Sequence, residues 1–209
     1  MYESFENLSE DKKDSILEAC IREFAEKGYE NASTNTITRE AGISKGILFH
    51  YFHNKKSLFL YVFDYCIKTL VEEYNKYSLT ETGDIFQRLS ELSVIKLKLT
   101  HVNPEKSKLL MKALAISQED LRTEVERRYS RLTKEYMPEI FKKIDYSKFR
   151  SEVDPLKAIE ILMLFLEALG DKYMKRYRGG EHDLLQNYDK LIEEYNEYME
   201  ILKFGMYSE

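Results

Sequence analysis

The residues that invite a chemical reading lie between Ser33 and Phe52, in the run Ser33-Thr34-Asn35-Thr36-Ile37-Thr38-Arg39-Glu40-Ala41-Gly42-Ile43-Ser44-Lys45-Gly46-Ile47-Leu48-Phe49-His50-Tyr51-Phe52. Ser44 stands just before a short apolar-periodic stretch, so its hydroxyl can cap a helix whose free first-turn N–H groups attract a phosphate oxygen. Lys45 adds full charge at that point, and Gly46 removes the side chain that would hold a duplex away. Ile47, His50 and Tyr51 project from the same helix, and with Lys45 they make a basic, hydroxylated and partly apolar set suited to a major groove. Lys55, just beyond, is placed to hold a backbone phosphate, and the Thr34 hydroxyl can do likewise from the preceding helix. Asn35 carries an amide that can pair with both edge atoms of adenine and so read sequence. The chemistry expected is recognition of double-stranded DNA, with no bond made or broken.

Catalytic alternatives find little support. There is no phosphate-binding glycine loop, no nucleophile elbow and no paired metal-ligand motif, so neither an enzyme nor a bound cofactor or metal is expected. His50 and His53 stand three apart, but no carboxylate or thiol is close to them in sequence to complete a metal site. His101 and His182 are isolated. Cys20 and Cys66 fall inside apolar helical patterns without disulfide or metal spacing, which reads as reduced packing residues in a cytoplasmic protein. No basic-then-apolar leader opens the sequence, and the apolar run Ile161 to Leu166 is far too short to cross a bilayer, so no membrane association is expected.

The formal net charge of −5 argues against indiscriminate binding to a polyanion. Its distribution is uneven. Residues 1 to 31 hold four cations against nine acids, whereas residues 32 to 57 hold Arg39, Lys45, Lys55 and Lys56 against Glu40 alone. A local basic patch on an acidic chain is a focused anion site.

The elements that must position these residues are helices. Three prolines and eight glycines in a chain rich in Leu, Ile, Lys, Glu and Tyr give an all-α expectation. A first helix starts at a Ser9 N-cap, carries Ile16, Cys20 and Phe24 on one stripe, and stops at Gly28. Ser33 caps a short helix through Ala41, and Ser44 caps another through Tyr51 or Phe52, separated by Gly42-Ile43. Gly42 supplies the left-handed conformation of a tight turn, while Ile37, Ile43, Leu48 and Phe52 meet as a small core. A longer helix runs from Lys56 or Ser57 to about Tyr77. Further starts are legible at Asp84, Asn103-Pro104 and Asp154-Pro155. Pro138 falls inside a helical pattern from about Glu119 to Lys143 and predicts a kink or break. Gly179-Gly180 separates the last two long helices.

The span from Ile16 to Leu58 resembles the N-terminal domain of the TetR family of bacterial regulators. The matching positions are Ile16, Ala19, Phe24, Glu26-Lys27-Gly28-Tyr29, Ile37, Ala41-Gly42, Ser44-Lys45-Gly46, Leu48, Phe52, Lys55 and Leu58. The resemblance implies that Thr34, Ser44, Phe49, Tyr51 and Lys55 occupy phosphate-contacting positions, and that Asn35, Lys45, Gly46, Ile47 and His50 approach bases. One departure stands out: the family usually has tyrosine where this chain has Phe49, so a phenolic contact to phosphate is missing.

The resemblance further implies a helix-turn-helix domain in residues 1–55 and a helical effector-binding and dimerisation domain in residues 56–209. The implied function is a ligand-released repressor that binds a palindromic operator as a homodimer. A homodimer also follows from the residues, since Ile161 to Leu166 is apolar in every direction around its helix and must be covered on more than one side. The interface expected comprises Leu162, Phe165, Leu169, Tyr188, Leu191, Ile192, Tyr195, Met199 and Leu202. An unidentified small-molecule effector is expected against Phe63, Phe86, Met111, Tyr129, Tyr136, Met163 and Glu167, although such Met and aromatic stripes are more often core than pocket. Two other readings stay open: a helical protein-interaction module on the same fold, and an activator.

Overall fold

The computed structural model describes residues 2–77, 83–140, 144–177 and 188–206, with their side chains except those of Leu97, 132–140, Asp171, 174–177 and Tyr188. The elements are helices α1 (Glu3–Glu6), α2 (Glu10–Asn31), α3 (Thr34–Glu40), α4 (Lys45–Phe52), α5 (Lys55–Tyr74), α6 (Ile85–Val102), α7 (Pro104–Leu114), α8 (Glu119–Ile140), α9 (Pro155–Tyr177) and α10 (Tyr188–Met206), with a 3-10 turn at Tyr146–Lys148. The all-α expectation holds.

Helix starts follow the predicted chemistry, with exceptions. The Ser33 and Ser44 hydroxyls accept from the backbone N–H groups of Thr36 and Ile47 at 3.4 and 3.2 Å. Asp84 accepts from Phe86 and Gln87 N–H at 2.9 and 3.1 Å, and Asp154 from Leu156 N–H at 3.0 Å. Pro104 and Pro155 occupy first-turn positions, where the missing N–H costs nothing. Ser9 precedes α2 but its side chain makes no capping bond. Helix α5 is capped by Asn54, whose Oδ1 accepts from Ser57 N–H at 2.8 Å, and begins earlier than expected.

Gly28 adopts φ 70° and ψ 175°, which interrupts the helical backbone where the stop is expected, and a further turn carries the chain to Asn31. Helix α8 continues past Pro138 to Ile140. The Gly179-Gly180 break lies outside the described residues.

The chain divides into two compact units, Met1–Lys76 with Leu99–Ser130, and Tyr77–Lys98 with Arg131–Glu209. The expected division at residue 55 does not coincide with these units. In the first, Ile16, Cys20 and Phe24 of α2 form the anticipated stripe, joined by Ile37, Leu48 and Phe52 from the two short helices and by Leu58, Phe59, Val62 and Phe63 from α5. Leu109 and Ala113 of α7 and Leu121 and Val125 of α8 complete the same core. Each buried Leu, Ile, Val or Phe side chain among them contributes about 1.5–3 kcal/mol. Polar ties reinforce it: Lys112 donates to the Glu26 carbonyl at 2.6 Å, and Arg128 pairs with Asp64 at 3.0 Å. Both cysteines are buried here, and burial pushes the Cys66 thiol up to about 12, so it stays a protonated packing group. In the second unit, Ile85, Phe86 and Leu89 of α6, Leu162 and Leu169 of α9 and Leu191 and Met199 of α10 are buried.

A buried acid fixes the entry to α3. Glu23 of α2 is nearly inaccessible, and its Oε1 accepts from the Ser33 backbone N–H at 2.7 Å. Glu23→Ala leaves that N–H unpaired and is expected to lower stability by about 2 kcal/mol. Glu23→Gln, whose amide oxygen still accepts, costs about half as much. Urea denaturation read by circular dichroism measures both, and equal losses for the two variants would contradict the assignment.

Candidate nucleic-acid interface

Helix α3 closes on a Schellman motif. Ile43 N–H donates to the Thr38 carbonyl at 3.0 Å and Gly42 N–H to the Arg39 carbonyl at 3.3 Å, with Gly42 at φ 64° in the left-handed region. The chain then turns directly into α4, whose Leu48 and Phe52 are buried in the first unit's core. Anchoring these two positions turns the rest of the helix outward. Ser44, Lys45, Gly46, Ile47 and His50 are exposed, as is Asn35 at the start of α3. Thr34, Tyr51 and Lys55 are half-buried. Phe49 is half-buried as well, with the Lys45 ammonium 5.9 Å from its ring centroid.

Gly46 has no internal reason to be glycine. A Cβ built there meets only Ser44 Oγ, at an ordinary 3.8 Å. Glycine still destabilises a helix by about 0.5–1 kcal/mol relative to alanine. What the missing side chain creates is open approach to the first turn of α4 from outside.

The cations of the basic patch are not equivalent. Lys56 is paired with Asp120 at 2.7 Å. Lys55 donates to the Glu30 carbonyl at 3.2 Å, near the end of α2, and stands 4.9 Å from the Tyr29 ring centroid, while burial pulls its pKa down. The residue expected as a phosphate clamp is therefore also a fastener between α2 and α5. Among the described residues no acid pairs with Lys45 or Arg39. Arg39, exposed in the last turn of α3, entered the sequence reading only as a charge, and its exposure is the feature that distinguishes it.

The link from α4 to α5 is two residues long. His53 takes φ 62° and ψ −48°, and Asn54 N–H donates across it to the Phe52 carbonyl at 2.7 Å. This is a positive-φ γ-turn, strained by about 1–3 kcal/mol for a residue with a side chain. The end of α4 is consequently under tension and must be held by neighbouring packing. The sequence offered no signal for that strain.

The candidate effector residues are divided between the two units. Phe63 is fully buried in the first unit's core, where Met111 is half-buried and Tyr129 exposed. In the second unit Phe86 is buried, Met163 half-buried and Glu167 exposed, and the Tyr136 side chain lies outside the described residues. Burial makes Phe63 and Phe86 members of their units' cores. Phe86 lines a cavity of about 330 Å³ together with Asp84, Gln87, Met199 and Lys203.

Four of the nine expected interface residues, Leu162, Leu169, Leu191 and Met199, are already buried within the single chain. Phe165, Ile192, Tyr195 and Leu202 are half-buried, and Phe165 meets the Tyr198 ring at 5.4 Å. The Tyr188 side chain is outside the described set. The most regular apolar stripe went to the unit's own core. Ile161 and Leu164 of α9 remain 52% and 60% exposed, and Ile201 and Phe204 of α10 remain 67% and 76% exposed.

Among the described residues no group of three His, Cys, Asp or Glu side chains is gathered for a metal ion, and no helix is long and apolar enough to cross a membrane. Residues 16–62 match the family model for bacterial regulatory proteins of the tetR family, and residues 83–207 match the tetracyclin repressor-like C-terminal domain. The chain is 29% identical over 174 residues to the HTH-type transcriptional repressor AcnR of Corynebacterium efficiens, covering 80% of this chain and 82% of that protein. It is 28% identical over 190 residues to AcnR of Corynebacterium diphtheriae, covering 88% and 90%. A TetR family transcriptional regulator from Chloroflexus aurantiacus shares the fold at a TM-score of 0.59 and 23% identity, over 99% of this chain and 98% of that one. With both halves of the chain matched by models of one family, and a helix-turn-helix displaying its polar face outward, the chain belongs to the TetR family of DNA-binding transcription regulators, which are not enzymes.

Proposed function

We propose that this chain is a ligand-released repressor that binds a near-palindromic operator as a homodimer, with α4 of each copy entering a major groove. The observation that carries the proposal is the outward face of α4, where Lys45, Gly46, Ile47 and His50 are exposed on a helix anchored by Leu48 and Phe52. Lys45 and the free N–H groups beside Ser44 meet phosphate, while His50, Ile47 and Asn35 meet base edges. The corynebacterial relatives are named as repressors, which favours repression over activation. Acting on chromosomal DNA places the protein in the cytoplasm.

Residues 1–55 serve as the reading head, and residues 56–209 bind the effector and the second copy. The exposed pairs Ile161–Leu164 and Ile201–Phe204 support the dimer, because two stripes this apolar are stabilised by mutual burial. A small effector shifts the population toward a spacing of the two heads that no longer fits successive major grooves. The cavity of about 330 Å³ beside Phe86 has the size of a small-molecule site.

Operator binding, thermal melting and sedimentation test this reading. Binding of an operator selected from random duplexes should weaken in Lys45→Ala, with the salt-dependence slope reduced by about one. Gly46→Ala should raise the melting temperature slightly yet weaken operator binding; improved stability with unchanged binding would remove the close approach. For the dimer, the wild type should sediment as two copies, whereas Leu164→Glu with Phe204→Glu sediments as one. Because both half-sites then bind independently, operator affinity should fall about a hundredfold or more.

A further inference from the structure

Ahead of the family-matched region, residues 2–8 fold back onto the far end of α4. Tyr2 precedes the short helix α1 and Phe5 lies within it; the helix is too short to be stable by itself and is held by these rings. Phe5 is fully buried, with its ring centroid 4.8 Å from Phe52, 5.8 Å from Tyr51 and 5.3 Å from Tyr61. Tyr2 stands 5.7 Å from Phe52 and 4.8 Å from Tyr61. Tyr61 of α5 donates its hydroxyl to Glu6 at 2.5 Å, tying the segment to the helix after the γ-turn. Tyr51, gripped edge-on by Phe5, lies 5.8 Å from the ring of His50.

We infer that the N-terminal segment Tyr2–Leu8 is a clamp on the reading helix, in which Phe5 and Tyr2 are positioning residues for His50 and Tyr51 although neither need touch DNA. This rests on the proposed placement of α4 against DNA. The physical case is mechanical. Helix α4 has eight residues, and its last turn leads into a strained two-residue link. Leu48 and Phe52 fix its inner side, while Tyr51 is only partly buried at the edge of that core, where its ring contacts include Phe5. Ring pairs of this kind add attraction beyond area burial and favour edge-on geometry, which selects one orientation of the last turn. Removing Phe5 frees Tyr51 and the end of α4 without removing a charge that meets phosphate.

The test uses the full chain and two labelled duplexes of equal length, an operator selected from random sequence and a scrambled one, at a temperature where circular dichroism shows the variants fully folded. Phe5→Ala should lose about tenfold in operator affinity, the size of one misplaced base contact, with scrambled-duplex affinity and salt slope unchanged. Phe5→Leu should recover most of the loss. If Phe5→Ala does not fold, Tyr61→Phe, which keeps the ring and removes the tie to Glu6, should show the same selective loss at about threefold. Unchanged operator affinity in a folded variant, or parallel losses on both duplexes, overturns the clamp. Lys45→Ala separates the two readings: if it alters neither affinity nor slope, the placement of α4 on DNA fails and the clamp falls with it; if it weakens binding while Phe5→Ala does not, only the clamp fails.

Discussion

Two helices of seven and eight residues cannot hold themselves in water, because nucleation of so short a helix is not repaid by its few internal hydrogen bonds. The reading surface therefore exists only while Ile37, Leu48 and Phe52 are buried, and that burial is the constraint from which the rest of the first unit follows. Helix α2 offers Ile16, Cys20 and Phe24 as a floor, α5 closes the side with Leu58, Phe59 and Val62, and Leu109 of α7 adds cover. Once three inward positions carry the cohesion, the outward ones carry no structural duty. That freedom lets a lysine, a glycine, an isoleucine and a histidine sit together where helix stability alone would not choose them.

Short elements also need their ends satisfied, and here the polar side chains do the joining. Glu23 reaches from α2 to the N–H of Ser33, Ser33 and Ser44 cap the two short helices, and Asn54 caps the next. The Schellman turn at Gly42 and the γ-turn at His53 make the connections as short as the backbone allows. Short links transmit orientation, so the direction of α4 depends on α2 before it and α5 after it. The same logic explains Lys55, whose ammonium binds the Glu30 carbonyl, near the end of α2.

What could be read beforehand was what is local. Caps followed by periodic apolar residues placed α3, α4, α7 and α9 closely, and Gly42 announced its turn by the conformation only glycine adopts cheaply. The outward set on α4 followed from the same periodicity. What could not be read was long-range. Nothing in residues 104–125 says that Leu109 and Leu121 complete a core that α2 begins, nor does the local pattern say that Phe63 belongs to it. An i, i+3, i+4 stripe finds the most apolar side of α9 and α10 but cannot tell a chain's own core from a second copy's: Leu162 and Leu191 are buried within the chain, whereas Leu164 and Phe204 are exposed. Helix α1 has too few residues to show any period at all.

The contribution of α7 and α8 to the first unit bears on how such a protein can change its target. A head whose hydrophobic interior is completed from distant sequence cannot be transplanted as a contiguous block onto a foreign body, since the graft would arrive with a hole where Leu109 and Val125 belong. Retargeting by exchange of whole modules is thereby disfavoured, while substitution at the exposed Asn35, Ile47 or His50 leaves the buried core intact. The architecture favours drift of the reading letters one at a time over shuffling of the page.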